Sequence, residues 1–504
     1  MILGQNSGFC LEPPSILKLM KKTSPLSRDE AAQKVWSGRF ATGTSVLMEE
    51  FSSSLSVDKI LWHEDLEVNR AWAAALRRAA LLTPGEEKKI QRGLNQIEKE
   101  FEGHTFSFLS GDEDIHVAIE RRLTEIAGDA GAKIHTGRSR NDQVVTDFRL
   151  YLKRRIAALS VALCRVVEAV MAQAQSTIDV VMPGYTHTQQ AQPVRLAHYL
   201  LALFQALRRH HSQLAAALIR VDEMPLGCGA VAGITFSIDR LRLARDLGFA
   251  RVCENSVDAT GSRDFCAEVA FVSAAICTTL SRYAGDFVLW ASQEFGFIDP
   301  GEAFATGSSM MPNKKNPDAF ELIRGKAATV IGALTAMLTL QKGGPVTYSR
   351  DLQEDKRLTI EAVSTAQLNL DVFAGALTSC RFRLERIRAA LDSAMLATDV
   401  ADYLVRKGVP FRNAHRLVAN AVRHAETVGW KLHELPLTFW LSLSPLFDES
   451  VQGCFDFVQS VERRQAFGGT SRSSVLRQLG VARRWLQTHG AAVAKTRGAP
   501  RRGG

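Results

Sequence analysis

No two cysteines in this 504-residue chain are spaced as CxxC, and none pairs with a nearby histidine. The eight thiols (Cys10, Cys164, Cys228, Cys253, Cys266, Cys277, Cys380, Cys454) are scattered, several of them within apolar helical runs. That pattern excludes a disulfide framework and a zinc ribbon; it fits reduced thiols acting as small hydrophobes in a cytoplasm. The N-terminus lacks the charged, apolar and small-residue succession of a secretory signal. Residues 1–34, with Pro13-Pro14 and little periodicity, read as a flexible leader; Glu12 and the lack of arginine before Arg28 speak against a transit peptide. No apolar run is expected to cross a bilayer without interruption by charge or glycine. An aromatic-interleaved basic patch is also missing, so the net charge of +9 does not imply nucleic acid. Most of the excess lies from Arg483 onward, where six basic residues meet no acid, and residues 483–504 read as a solvated, flexible tail. Repeats are absent, and strand-like alternation is confined to stretches such as Ala230 to Ile238.

What remains is helix. Phe148 to Val181, Ala197 to Val221, Phe265 to Phe295 and Ala319 to Gln341 are rich in Ala, Leu, Val and Ile. Each could extend on the order of 35 to 50 Å. Their apolar residues cover more than one face, so they must be buried on several sides. An all-α fold follows, with a central long-helix bundle that extends across subunits. Sequence punctuation divides the chain into a leader (1–34), an N-terminal helical domain (35–137), the bundle (138–387), a C-terminal helical domain (388–482) and the tail (483–504).

Four polar clusters interrupt this apolar chain. Asp112-Glu113-Asp114-Ile115-His116 precedes a helical stretch, where acids cap the N-terminus and oppose the helix dipole. The run from His135 to Gln143 holds Arg138, Ser139, Arg140 and Asn141 before a largely apolar helix. Guanidinium forks and fixed amide donors suit a multiply charged small molecule. In Pro183–Pro193, Thr186 and His187 occupy a Pro/Gly-bounded turn, where an imidazole can move protons near neutral pH. The fourth cluster is Gly307-Ser308-Ser309-Met310-Met311-Pro312-Asn313-Lys314-Lys315-Asn316-Pro317, with Glu321 close behind. Its glycine, hydroxyls and ammonium form an anion cradle suited to deprotonation beside a carboxylate. A carboxylate bonded to His187 would orient it, and Glu321 is the candidate. Tyr348, Gln353 and Lys356 form a smaller polar set after Gly343-Gly344-Pro345.

The fourth cluster resembles, without a mismatch, the GSSxMPxKxN signature of the fumarase/aspartase/argininosuccinate-lyase superfamily. HTGRSRNDQ, GYTH-Q-AQP, LATDVADYLVRKGVPFRNAH and GGTSRSSV resemble the argininosuccinate lyase and delta-crystallin branch, and the likeness spans about Val35 to Leu479. It implies an all-α homotetramer whose active sites are shared between subunits, with no metal or cofactor. The implied reaction is α,β-elimination of argininosuccinate to arginine and fumarate. By the same resemblance Ser308 would be the base, and Lys314 would stabilise the aci-carboxylate. His187, oriented by Glu321, would assist proton movement. Thr186, Ser139, Arg140, Asn141 and Asn316 would bind substrate, with His116 nearby. Ser54, Tyr348, Gln353 and Lys356 would hold the arginine portion or the succinyl group.

The chain departs from the family at Ser37-Gly38-Arg39-Phe40, where GGRF is usual. Val68-Asn69 and Trp72 stand where Gly-Ser and a His or Tyr are usual, and Ile234 replaces a Thr or Asn. Two other readings therefore stand beside the first: the same elimination on another N-substituted aspartate, and an inactive structural protein of the crystallin kind.

Overall fold

The computed structural model describes residues 44–490. The expected leader, the Ser37–Phe40 departure and the tail from residue 491 lie outside them. The chain is mostly helical, 70% helix against 5% strand, which makes it all-α. Its contacts divide it into two compact units, both discontinuous in sequence. The first comprises residues up to Tyr151, Asp222–Ser262 and Gly344–Arg357; the second comprises Leu152–Val221, Arg263–Gly343 and the chain from Leu358.

Among the described residues the first unit opens with a short helix, α1 (Val46–Ser52), followed by α2 (Trp62–Arg78), α3 (Pro84–Glu102) and α4 (Ile115–Ala127). Local sequence explains where these start. Thr83 and Glu86 form a reciprocal capping box with Pro84 at the first helical position, and Asp114 caps α4 by accepting from the Val117 N–H at 2.6 Å. Leu66, Trp72 and Leu76 of α2, Ile90, Leu94 and Ile97 of α3, and Ile119 and Leu123 of α4 are sealed from solvent. Helices α3 and α4 approach closely at Gly93, where a Cβ would lie 2.7 Å from the Leu123 Cδ1. The first turns of α5 (Arg140–Ser176) also belong to this unit. The expected strand character of Ala230 to Ile238 is not found; the segment is turns and bends. Gly227, Gly229 and Gly233 all take left-handed φ (88°, 63° and 82°), which breaks any extended run.

The second unit holds the rest of α5, a hairpin of β1 (Val181–Thr186) and β2 (Gln189–Arg195), and the long helices α6 (Leu196–Val221), α7 (Asp264–Ala291), α8 (Asp318–Gln341) and α9 (Asp355–Ser379). All four helices expected from composition are present with slightly shifted ends, and α9 joins them. Phe287 of α7, Phe320 of α8 and Phe373 of α9 pack in one aromatic knot with centroids 5.1 to 6.0 Å apart. By length and composition alone, α5, α7 and α8 could cross a membrane. This corrects the expectation of charge-interrupted runs, because eighteen-residue windows with at most two charges do occur. The windows differ in burial: 56% in α5, 61% in α7 and only 28% in α8. Leu322, Ile331 and Leu338 of α8 are exposed at 46 to 59%.

Towards the C-terminus α10 (Ala397–Arg406) and α11 (Phe411–Val428) enclose their own core around Trp440, which is fully buried and donates its indole N–H to the Leu435 carbonyl at 3.2 Å. The last helix among the described residues, α12 (Arg472–His489), runs through Arg483 and Arg484, so the start of the expected flexible tail is helical. The Trp440→Ala substitution is expected to destabilise the chain by about 3–5 kcal/mol, from lost burial plus the cavity left behind. Urea unfolding checks this, and a loss below about 1 kcal/mol would show that the site collapses around the gap.

Candidate active site

In the first unit a cavity of about 380 Å³ gathers six of the residues singled out from sequence: Ser54, Arg140, Asn141, Tyr348, Gln353 and Lys356. Its chemistry is two-sided. Arg140, Arg350 and Lys356 line it with positive charge, and Asp58, Glu113 and Asp114 line it with carboxylates. Three chain segments close it. Gln353 donates from Nε2 to the Ser52 carbonyl at 3.0 Å, and Arg350 donates to the same carbonyl at 2.9 Å and pairs with Glu113. Asp58 accepts from the Ser54 hydroxyl and from the Ile115 N–H at 3.0 Å, which ties the segment after α1 to the start of α4. Burial pushes the Asp58 carboxyl above its ordinary range, against the pull of His116. Sequence inspection missed Asp58 and Arg350. The only signals were their spacing, Asp58 one helical turn after Ser54 and Arg350 two residues after Tyr348.

The loop from Gly137 to Asn141 is held from below. Asp142, fully buried, accepts from the Ser139 N–H at 3.0 Å, and its other oxygen accepts from the Gly227 and Gly229 N–H groups at 3.0 and 2.8 Å. Burial nonetheless raises its pKa to about 6. Ser139 turns its hydroxyl to the Asn141 N–H at 3.2 Å and does not line the cavity. Arg140 donates to Gln143 Oε1 at 2.7 Å and lies 3.6 Å from both Asp114 and Glu120.

His116, expected beside the substrate, is 1% exposed and lies off the cavity wall. Its Nδ1 is 2.8 Å from Asp65 Oδ1 and 3.0 Å from Asp147 Oδ2. Burial opposes its charge, but the adjoining Asp147 and Asp65 carboxylates outweigh that and raise its pKa to about 10. Burial likewise opposes ionisation of Asp65, which the His116 bond and charge bring down to about 2. Burial and the Asp65 charge push Asp147 upward, so Asp65 is the principal counter-ion. Asp65, His116 and Asp147 are close enough to be read as metal ligands. The His116 N–H is instead taken by Asp65, with Asp147 as a second carboxylate nearby, and a divalent ion there would sit in the field of Arg138, which already interacts with Asp65. The Val68, Asn69 and Trp72 departures are buried in this layer, and neither they nor Ile234 line the cavity.

The remaining candidates lie in the second unit. The β1–β2 hairpin turns on His187 and Thr188, both at left-handed φ (53° and 60°), between the paired Thr186 and Gln189. A β-branched Thr in that region carries strain, and the turn presents Thr186 and His187 to solvent. The loop from Gly307 is pinched shut by Thr306 and Asn316, whose backbones exchange hydrogen bonds at 3.3 and 2.8 Å. Inside it the Ser308 Oγ accepts from the Met310 and Met311 N–H groups at 3.3 and 3.0 Å. The cradle's amides therefore converge on the serine oxygen. Lys314 is exposed, as is Glu321 in the first turn of α8. Among the described residues no hydrogen bond joins His187 to Glu321, so the orienting contact expected from sequence is not made within one chain.

The His116 pair gives stability a pH dependence. A group raised from 6.5 to about 10 stabilises the fold fully below pH 6.5 and loses that contribution as pH rises toward 10. Asp65, lowered from 3.8 to about 2, contributes above pH 3.8 and loses it as pH falls through 2. Between pH 7 and 10 the native chain is expected to lose a few kcal/mol more than His116→Gln. Denaturant midpoints across that range test it, and parallel declines would remove His116 from the account.

Comparison with known proteins fits this geometry. A lyase family matches residues 38–332, and the argininosuccinate lyase C-terminal family matches residues 394–462. The chain is 47% identical over 453 residues to an argininosuccinate lyase of Roseiflexus sp. (strain RS-1), covering 90% of this chain and 100% of that one. It is 43% identical to an argininosuccinate lyase of Chlamydomonas reinhardtii, covering 91% and 97%. Among solved structures it resembles an EDDS lyase variant with bound fumarate, with TM-score 0.78, 27% identity, and 89% and 90% of the two chains covered. A lyase-family match to more than half of the chain, and whole-length likeness to these relatives, place it in the argininosuccinate lyase family.

Proposed function

We propose that the chain is an argininosuccinate lyase that eliminates fumarate from argininosuccinate and releases arginine. The observation that carries this reading is the two-signed cavity. Argininosuccinate bears several carboxylates together with a guanidinium and an ammonium, so its site needs both kinds of partner. Arg140, Asn141, Gln353 and Lys356 suit the carboxylates, and Asp58, Glu113 and Asp114 suit the cationic end. Ser54 and Tyr348 contribute hydroxyls on the same wall. The departures that motivated a different amine portion do not line the cavity, so none touches the amine portion there directly.

The chemistry falls to the exposed loops. Ser308, as its alkoxide, takes the proton from the carbon next to a succinyl carboxylate. The electron pair passes into that carboxylate, and Lys314 stabilises the resulting aci-carboxylate. Collapse forms the fumarate double bond, breaks the carbon–nitrogen bond, and leaves the departing guanidine nitrogen to take a proton, with His187 as the candidate donor. The two amides on Ser308 support its role, because donors on an oxygen favour its anionic form. Thr186, Ser139 and Asn316 complete the binding set, His116 supports it, and Glu321 of one copy orients His187 of another. No metal or cofactor is required. The assembly is a homotetramer in the cytoplasm, with each site shared between subunits. The apolar, exposed face of α8 supports association with further copies.

Purified protein should release fumarate from argininosuccinate, followed by ultraviolet absorbance. Turnover only of another N-substituted aspartate would overturn the substrate, and no elimination from any would favour a structural protein. Ser308→Ala should lower kcat by about 10³-fold or more while the oligomer survives. Near-normal activity in that variant would rule Ser308 out as the base.

A further inference from the structure

The departure at Asn69 has a specific structural consequence. Asp65, Asn69 and Trp72 follow one another at helical spacing on α2, and all three are buried. The Asn69 amide is held in one orientation. Its Nδ2 donates to Asp65 Oδ2 at 2.7 Å and to the Asp65 carbonyl at 2.9 Å, and its Oδ1 accepts from Arg138 Nη1 at 2.7 Å. A flipped amide would set oxygen against carboxylate and NH₂ against guanidinium, so charge on both sides dictates the direction.

Arg138 depends on that oxygen. Its side chain is 6% exposed, and its Nε and Nη2 find no acceptor. The Nη1–Asn69 bond is its one side-chain hydrogen bond among the described residues. Trp72 cannot take over, because an indole only donates, and its own N–H is buried without a partner. A serine at position 69 would offer an oxygen on a shorter arm. Arg138 immediately precedes Ser139, Arg140 and Asn141, the last two of which line the cavity. Fixing its guanidinium therefore sets the depth and angle of the substrate-binding loop.

We propose that Asn69 is a positioning residue that acts through Arg138 on the Ser139–Asn141 loop. The kinetic part rests on the proposed lyase reading; the structural part does not. Asn69→Ala in the full-length enzyme should raise KM for argininosuccinate by at least about tenfold, the loss expected for a buried bond to a charged group, with a smaller change in kcat. Backbone amides of residues 139–141 should exchange with deuterium about tenfold faster, read by mass spectrometry without substrate. In an Arg138→Met background, Asn69→Ala should add little to either quantity, because the shared bond is already gone. Asn69→Ser serves as the second variant if the alanine form does not fold, with the same direction expected. A lower thermal midpoint with KM within twofold of the native value and unchanged exchange would mark Asn69 as structural only and overturn the proposal. Full additivity with Arg138→Met would overturn it as well. If the native enzyme does not act on argininosuccinate at all, the functional reading fails, while the exchange result still decides whether Asn69 holds the loop.

Discussion

A carboxylate sealed from water must collect donors, and Asp65 is the point on which the first unit depends. It receives Asn69 Nδ2 at 2.7 Å, Gln143 Nε2 at 2.6 Å and His116 Nδ1 at 2.8 Å. Those three donors come from α2, α4 and the first turn of α5, so satisfying one buried charge brings together three helices that are distant in sequence. The Gly137–Asn141 loop lies between α4 and α5, and Arg138 reaches back into the same network through Asn69. Breaking such a set by removing one member leaves the others charged and unpaired, which is why buried ion clusters specify geometry even where they add little stability.

The second unit answers to a different constraint. Helices apolar on several sides cannot all be covered by one chain. Phe287, Phe320 and Phe373 show where the chain covers itself, and Leu322, Ile331 and Leu338 show where it does not. An apolar stripe of that length on α8 calls for further apolar surface.

Much of this was legible in the sequence. Proline-free Ala/Leu/Val/Ile runs located α5 to α8, and polar clusters before helices located most of the cavity wall. Helix α9 escaped notice because Lys356, Thr359, Asn369 and Asp371 interrupt its apolar residues, so no run stands out although Leu370, Phe373 and Leu377 are fully buried. The hairpin at His187 was read only as a turn, since no Asn-Gly or Asp-Gly marks it and its left-handed residues are His and Thr. His116 illustrates a different limit. A histidine among acids reads equally well as a ligand or as a buried ion pair, and only burial and the paths of its neighbours decide. Discontinuity is the deepest limit: nothing in the order of residues shows that 222–262 and 344–357 pack with the N-terminal helices.

The division of labour between the two kinds of site has a physical rationale. Recognition of a multiply charged molecule requires fixed charges, and these stand on a network whose members hold one another in place. Proton abstraction from carbon requires a base whose anion forms only when substrate is enclosed, because an oxyanion left in water is quickly quenched. Ser308 sits in a loop pinched at Thr306 and Asn316, with Met310 84% exposed at its crest, so the chain alone leaves that serine near solvent. Under the proposed reading, the held cavity serves binding and the open loop serves chemistry. Within the first unit the same logic bears on Asn69, since a binding loop can only be as well placed as the side chains that hold its base.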